Sequence, residues 1–382
     1  MKKDSGKNKK ELRYVNTRRY IIVIAALSFL LLTVNIMFRV SAVFAHTYST
    51  TVYTATVKVF GTVFSIFPFS VIEILIYAAA ITVIYCLVRL VISFIQSRKL
   101  KVWNFFTYRL KKYLLNLACI ILVCLLILSL NCTILYHKLT FCVCANIKPQ
   151  SHTTEELAAL CELLIDEVNE ISKEIRTDEN GIFTLEGVDL NSTAIDAMLA
   201  LRTEYPFMPS YYPRPKPIAL SKVMSYTNMT GFYSPYTIEA NYNKDITDME
   251  IPYTICHELA HMGGFIHEDE ANFIAYLACM RSDSAAFRYS GSVNALIPVL
   301  NACYDNCGRE RYSEIISKLN RQTIADLNFQ SAYWERFESK IGEITSGMND
   351  AYIKLNGDSE GEKRYGMVTD LLLDYFDDIL SN

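Results

Sequence analysis

The sequence predicts an α+β protein in which three N-terminal transmembrane helices precede a mostly helical domain with a small β-sheet. Three observations predict this fold class. Long apolar runs are confined to the first 136 residues, apolar residues recur at helical spacing through most of the remainder, and two β-rich stretches lie near its middle. With 51% apolar residues, a chain of 382 residues can bury a substantial core.

Three apolar runs are long enough to cross a bilayer as helices. They cover about residues 20–38, 69–95 and 113–136. The first and third runs carry no charge, and the second carries only Glu73 and Arg89, each near one end. Because a side chain near the end of a span can reach the interface, we expect Glu73 to snorkel there. The sequence therefore predicts a membrane region at residues 20–136.

Lysine and arginine counts predict the orientation of these helices, because basic residues flank spans on the cytoplasmic side. Eight precede the first span, two lie between the first and second, and six lie between the second and third. We therefore expect a basic cytoplasmic tail at residues 1–19 and an extracytoplasmic domain at residues 137–382, held in the cell membrane. This charge distribution, with a net charge of −3, indicates the lipid bilayer as a partner and not nucleic acid.

Local patterns predict the order of elements in the C-terminal domain. A proline-rich stretch at residues 206–217 predicts an extended connector, and two β-rich stretches at residues 218–226 and 231–242 predict strands. Helices are predicted over residues 153–175, with Thr154 as the cap, 192–205, 251–281, with a break at Gly263 and Gly264, 293–304, 312–319, 322–349 and 365–380.

The predicted helix that follows the strands contains the pattern His257-Glu258-x-x-His261. Residues four apart share one helical face, so both imidazoles can bind one zinc ion while Glu258 addresses the metal-bound water. Zinc polarises a carbonyl and lowers the pKa of its water, and the glutamate moves the proton to the leaving group. The pattern also occupies the polar stripe of an otherwise apolar helix. It predicts a zinc centre with two histidine ligands and Glu258 as the catalytic acid and base.

A catalytic zinc ion needs a third protein ligand, for which the sequence offers three candidates. His267 completes the longer metzincin pattern, but Met280 follows too closely to form the methionine turn of those enzymes. Glu268 and Glu270 begin the next predicted helix. We favour Glu268, because the pattern E-x-x-A-N from Glu268 to Asn272 resembles the ligand helix of glutamate-type zincins, in which the asparagine supports a histidine. Glu270 and His267 remain alternatives.

The chain also resembles the bacterial membrane family called domain of unknown function 3810. The resemblance rests on the three-span start and on these segments: Gly231–Tyr236, His257–His261, Gly264–Phe265, Glu268–Phe273, Ala275–Cys279, Ala351–Tyr352, Asn356–Gly357, Tyr365–Gly366 and Leu371–Leu373. Membership implies a zincin-like metallopeptidase domain, but it implies no substrate. The family usually has a basic residue where this chain has His267, which further weakens His267 as an essential ligand.

Residues outside the motif offer two further hypotheses. Tyr233, Tyr236 and Tyr365 are candidates to donate a hydrogen bond to an oxyanion, although packing is the better explanation in a chain with 25 tyrosines. The predicted strand at residues 231–242 can serve as an edge to which an extended peptide adds, whereas a buried hairpin explains the same residues.

Together these features predict a membrane-anchored zinc-dependent metallohydrolase with one zinc ion, most plausibly a peptidase that acts on a peptide or protein. The alternative is a catalytically inactive zincin-fold sensor or scaffold in the cell envelope. Bound zinc without cleavage would distinguish the alternative from the enzyme. The sequence specifies neither the cleavage preference nor the oligomeric state.

Overall fold

The structure is a computed structural model that describes residues 16–101, 103–355 and 367–380. Within these residues it is mostly helical and contains one three-stranded sheet, which confirms the coarse fold class. Residues 1–15 of the predicted basic tail, the segments Asn356–Gly357 and Tyr365–Gly366, and with the latter the candidate donor Tyr365, lie outside the described residues.

The described elements are, in chain order, α1 (Thr17–Val40), α2 (Ala42–Tyr48), a π-helical turn (Ser49–Tyr53), α3 (Thr54–Ser65), α4 (Val71–Leu100), α5 (Asn104–Asn131), a 3-10 turn (Thr133–His137), α6 (Phe141–Ala145), α7 (Thr154–Ile171), α8 (Leu190–Ala200), a 3-10 turn (Leu201–Thr203), β1 (Lys216–Pro217), α9 (Ser221–Ser225), β2 (Gly231–Ser234), β3 (Glu239–Tyr242), α10 (Ile251–Met262), α11 (Glu268–Met280), α12 (Ala285–Asn306), α13 (Arg309–Ile316), α14 (Arg321–Glu335), α15 (Lys340–Leu355) and α16 (Val368–Leu380).

The chain forms two compact units, and the first contains most of three long apolar helices, α1, α4 and α5. Each is long and apolar enough to cross a membrane, as the sequence predicts. Tyr20 donates a hydrogen bond to Asn116 (2.6 Å), and Asn35 donates one to Ser129 (3.1 Å). Because both partners advance together along α1 and α5, these two helices run parallel. The first and third spans of a chain must cross a membrane in the same direction.

The second unit consists of Met37–Glu73 and the chain from Asn131 onward. Its centre is a helical layer in which α12 packs on α7 and α11, while α10 packs on α11 and on strands β2 and β3. The strand order is β1-β3-β2, with β1 parallel and β2 antiparallel to β3, so β2 lies at one edge. The segment Met37–Glu73 belongs to this unit although it lies between the first two apolar helices.

Tyr53 connects the segment Met37–Glu73 to the end of α10 by hydrogen bonds. Its hydroxyl donates to the backbone carbonyl of Met262 (3.0 Å) and lies 3.0 Å from the hydroxyl of Tyr233. Tyr53 precedes α4, and Met262 follows α5. The contact therefore requires both residues to lie on one side of a membrane that the intervening chain crosses an even number of times.

Two predictions about the region around α9 are wrong for one reason. The predicted strand at residues 218–226 is instead a turn followed by the short helix α9. Glu73 does not snorkel, because it is buried and its carboxylate accepts hydrogen bonds from the backbone N–H groups of Ala219 (2.9 Å) and Leu220 (3.0 Å). Those N–H groups are thus satisfied by a residue far away in sequence, and they take no part in a strand ladder.

Three smaller differences concern where elements begin and end. The predicted strand at residues 231–242 is a hairpin of two strands, β2 and β3, and the predicted helix at residues 322–349 is divided into α14 and α15. The cap of α7 is Thr153 and not Thr154. Thr153 accepts from the backbone of Glu156, and Glu156 accepts from the backbone of Thr153, so the two satisfy each other's N–H groups in a capping box.

A buried ion pair connects the sheet to the start of α4. Lys216 Nζ lies 2.5 Å from Glu239 Oε1 and also donates to the carbonyl of Phe64 (2.6 Å). Glu239 in turn accepts hydrogen bonds from the backbone N–H groups of Val71 (3.0 Å) and Ile72 (2.9 Å), in the first turn of α4. A carboxylate at a helix N-terminus is favourable, because the unpaired N–H groups there carry partial positive charge.

We predict that Glu239→Gln lowers the free energy of unfolding by about 3–5 kcal/mol, because it leaves the Lys216 ammonium buried without its counter-charge. The exposed pair Lys173–Glu170 provides the control, since Glu170→Gln should change stability by less than about 1 kcal/mol. Denaturant unfolding of the full chain in detergent measures both variants. Equal shifts for the two would contradict a structural role for the buried pair.

Candidate metal centre

The candidate metal centre is built on the helix pair α10 and α11. Pro252 lies in the first turn of α10, where its missing N–H is not needed and its fixed φ suits a helix. The apolar side of α10, including Ile255 and Leu259, is fully buried. After Met262 the chain reverses through Gly264, whose φ of 91° is a conformation that side chains disfavour. This turn confirms the predicted break and directs the start of α11 toward α10.

The turn brings three of the predicted site residues together. His257 Nε2 lies 3.2 Å and His261 Nε2 lies 3.5 Å from the same atom, Oε2 of Glu268. The two imidazole rings are 4.4 Å apart and nearly perpendicular. Among the described residues, these three form one of two groups whose ligand atoms are close enough to share a metal ion.

The orientation of the His261 imidazole follows from its backbone neighbour. His261 Nδ1 lies 2.9 Å from the carbonyl oxygen of Phe265. Because a carbonyl can only accept, this contact places a proton on Nδ1 and directs Nε2 toward Glu268. His257 has the side chain of Asn272 beside it, which raises the pKa of the imidazole against the larger lowering effect of burial. His257 Nδ1 is buried without a hydrogen-bond partner among the described residues, so support by Asn272 stays a prediction.

Burial and mutual charge set the protonation of the cluster. Burial disfavours the charged form of His261, but the Glu268 carboxylate outweighs it and raises the pKa of His261 to about 9. Burial also disfavours the charged form of Glu268, yet His261 and His257 hold its pKa well below the ordinary value. The pKa of His257 is lowered, first by burial and then by His261. The cluster is therefore an anionic carboxylate that requires a cation beside it.

The donor set fits a zinc ion. Glu268 Oε2 is buried and has no hydrogen-bond partner among the described residues, even though two imidazole nitrogens lie within 3.5 Å of it. Three ligand atoms therefore converge without satisfying one another through hydrogen bonds, which is costly unless a further group lies between them. Two neutral imidazoles and one carboxylate are ligands that zinc binds in catalytic sites, where a fourth position stays open.

Glu258 lies beside this cluster in a position that depends on Gly231. The carboxylate is buried, and its Oε2 has no hydrogen-bond partner among the described residues. Burial raises the pKa of Glu258 to about 8, with His261 opposing and Glu268 adding to the rise. A Cβ atom at Gly231 would lie 2.6 Å from Glu258 Oε1 and 2.9 Å from the backbone oxygen of Asn241. Only glycine at position 231 lets β2 approach the carboxylate this closely.

The structure separates the other two candidates for the third ligand from the cluster. His267 precedes α11, and its ring packs edge-on against Tyr136, with ring centroids 5.3 Å apart. Glu270 points away from the histidines and accepts a hydrogen bond from the backbone N–H of Phe141. Of the three candidates, Glu268 alone contacts both histidines of the motif.

The tyrosines proposed as oxyanion donors lie in different surroundings. Tyr233 is buried, and its hydroxyl donates to the carbonyl of Asn131 (3.2 Å) and lies beside Tyr53, so it serves packing. Tyr236 is partly exposed in the β2–β3 turn. Sequence reasoning assigned no role to Tyr53 and named Gly231 only as part of a family segment, because the roles of both residues depend on contacts between distant parts of the chain.

A second group of potential metal ligands, found within the described part of the chain, has a structural explanation. It consists of His152, Glu156 and Asp377. Glu156 is engaged in the capping box of α7, and His152 Nε2 lies 2.8 Å from Asp374. These contacts join the start of α7 to α16 and account for the polar atoms without a metal ion.

Comparisons with known proteins place this site in a family. A family model described as Protein of unknown function (DUF3810) matches residues 48–373, which include all residues of the candidate metal centre, so the chain belongs to this family. Comparison with curated proteins and with solved structures found no match.

We predict that the full-length protein in detergent binds about one zinc ion per chain, and that His257→Ala and Glu268→Ala each lose it. His267→Ala is the matched control and should retain the metal, because His267 contacts Tyr136 and not the cluster. Metal content by plasma mass spectrometry measures all four proteins. Loss of zinc in the His267 variant alone would identify a different ligand set.

Proposed function

Because the chain belongs to the DUF3810 family, whose description names no reaction, we propose its function from the site: a membrane-anchored, zinc-dependent metallohydrolase that cleaves peptide bonds. The convergence of His257, His261 and Glu268 on one point, with Glu258 buried beside it, carries the proposal. This arrangement suits the activation of water for attack on a carbonyl.

We further propose that the second unit is zincin-like. Two features favour this assignment. The first is a helix pair in which α10 carries both histidines and the glutamate between them, while α11 begins with the third ligand. The second is the edge strand β2, which packs on α10. A metal bound by the helix pair would lie on one side of a substrate, with the backbone hydrogen-bonding groups of the edge strand on the other.

In the proposed reaction, Glu258 carries the proton transfers. Its Oε2, which is free of hydrogen bonds among the described residues, takes a proton from the attacking water and then gives it to the nitrogen of the leaving amine. Zinc, when bound by the three ligands, would polarise the carbonyl and increase the acidity of the water. The carbonyl of Phe265 holds the His261 imidazole in the orientation that binding requires.

We propose that the substrate is an extended polypeptide that pairs with β2. Gly231 and Phe232 are the half-exposed residues of this strand, and Gly231 lies directly beside Glu258. A peptide added at this edge would run past the carboxylate, and backbone pairing recognises a chain with little regard to its side chains.

The lysine and arginine distribution favours an extracytoplasmic location for this unit. Eight basic residues precede residue 20 and six lie within residues 96–112, while residues 39–68 contain only Arg39 and Lys58. Since basic segments remain in the cytoplasm, the chain after α5 belongs on the opposite face. A cell-envelope peptidase is the function that follows.

We predict that Glu258→Gln lowers the rate of peptide cleavage by about 10²–10⁴-fold, the usual contribution of a positioned acid–base group. Glutamine keeps the size of the side chain but cannot accept and return a proton. Zinc content should remain unchanged. Cleavage of a peptide library by the full-length protein in detergent, followed by mass spectrometry, measures the rate.

The wild-type protein decides between the two functional hypotheses in the same assay. Cleavage that the glutamine variant lacks supports the peptidase. A wild-type protein that binds zinc and cleaves no member of the library would instead support the catalytically inactive sensor or scaffold.

We predict that Gly231→Ala lowers the rate of cleavage by about 10²-fold with zinc retained. The added methyl group would lie 2.6 Å from Glu258 Oε1 and must displace the carboxylate from its position. Gly347→Ala is the control. A Cβ atom at that position meets no atom within 4 Å, so activity should be unchanged. Unchanged activity in both variants would show that the approach of β2 to the carboxylate is not needed for turnover.

A further inference from the structure

The segment between the first two apolar helices is a nearly unbroken helix. From Ala42, α2 continues through the π-helical turn into α3 and ends at Ser65. At ~1.5 Å per residue this helix is about 36 Å long. It is joined to α1 through Ser41 and to α4 through residues 66–70.

The connections limit how this helix can lie. Five residues, even fully extended, reach only about 17 Å, roughly half the length of the helix. Because α1 and α4 follow each other along the chain, a membrane crossed by both has their joined ends at the same surface. The helix therefore cannot stand upright on that surface and is inclined closer to the plane of the surface than to the membrane normal.

The two faces of α3 differ in burial, as expected for a helix that lies on a membrane surface. Val57 and Gly61 are buried, and a Cβ atom at Gly61 would lie 2.2 Å from Pro213, so this face packs tightly on the rest of the second unit. The opposite face exposes Val59 (59%) and Val63 (47%). An apolar stripe on one side of a surface helix is typical of helices that lie in a lipid interface.

Helix α15 carries a similar stripe. Four of its apolar residues are largely exposed and follow one another at intervals of three, four and seven residues, which places them on one face: Ile341, Ile344, Met348 and Leu355. Its C-terminal end lies against residues at the ends of spans. The carbonyl of Leu355 accepts from Arg39 (3.4 Å), and the hydroxyl of Tyr352 lies 3.1 Å from Cys132 Sγ.

Cys132 marks the level of the membrane boundary. The uncharged part of the third run begins at Tyr113, and ~20 helical residues cross the hydrocarbon core, which brings the chain to about Cys132. The end of α15 therefore lies at this boundary. Its exposed stripe is the second apolar face that the second unit offers, beside that of α3.

We propose that α3 and α15 form a second membrane contact, in which both helices lie in the interface of the lipid bilayer with their exposed apolar stripes among the lipids. The contact is separate from the three spans and does not depend on zinc. Tyr53, within the same continuous helix as α3, donates to the carbonyl of Met262 at the end of α10. The lipid contact therefore holds the metal-binding helix next to the membrane surface.

Photocrosslinking of the full-length protein in nanodiscs of phosphatidylethanolamine and phosphatidylglycerol tests this proposal. A benzophenone amino acid replaces Val59, Val63 or Met348 in separate variants. Ile324 is the control, because it is also exposed (41%) but lies on α14, whose Trp334 contacts Glu250 at the other end of α10. Mass spectrometry of the irradiated protein then identifies phospholipid adducts.

We expect at least tenfold more phospholipid adduct at positions 59, 63 and 348 than at position 324. Adduct levels equal to the control would overturn the proposal, as would crosslinks to a second protein chain in place of lipid. The three probed positions are independent, so a variant that does not fold leaves the others to decide. The readout requires no cleavage activity, so failure of the proposed function would leave this test intact.

Discussion

The Glu268 carboxylate, buried between two imidazoles, is the constraint on which the site depends. An ionised carboxylate in the protein interior is stable only beside positive charge, and here that charge comes from His261 or from a metal ion. The two histidines belong to one helix and the carboxylate to the next, so the turn at Gly264 must place α11 correctly. The buried apolar faces of α10 and α11 then hold the pair in this arrangement.

The sheet supplies no metal ligand to the site. It contributes by placing β2 close to α10. Strand β2 approaches α10 so closely that Gly231 cannot carry a side chain, and β3 holds β2 through antiparallel pairing. On the other side of β3, the Lys216–Glu239 pair fixes the first turn of α4. One small sheet thus lies between the buried start of α4 and the carboxylate of Glu258.

Local features of the site were predictable from sequence, because they depend on residues within about twenty positions of one another. The motif and the break at Gly264 follow from helical spacing and turn chemistry, while the choice of Glu268 over Glu270 came from the resemblance of Glu268–Asn272 to a zincin ligand helix. The predictions of a strand at residues 218–226 and of a snorkelling Glu73 were wrong for one reason, which no local sequence pattern indicates. A carboxylate some 146 residues away binds the backbone that the strand would have used. Long-range hydrogen bonds of this kind override weak strand preferences.

The membership of Met37–Glu73 in the second unit has a practical consequence for how the protein can be divided. A fragment that begins after α5 would lack the hydroxyl that binds the carbonyl of Met262 and the helix face that covers Pro213. It would also lose the N–H partners of Glu239 and the carboxylate that orders the turn before α9. Such a fragment would expose apolar surface and leave a buried ion pair half satisfied, so truncation at the last span should yield an aggregating polypeptide and not a soluble enzyme.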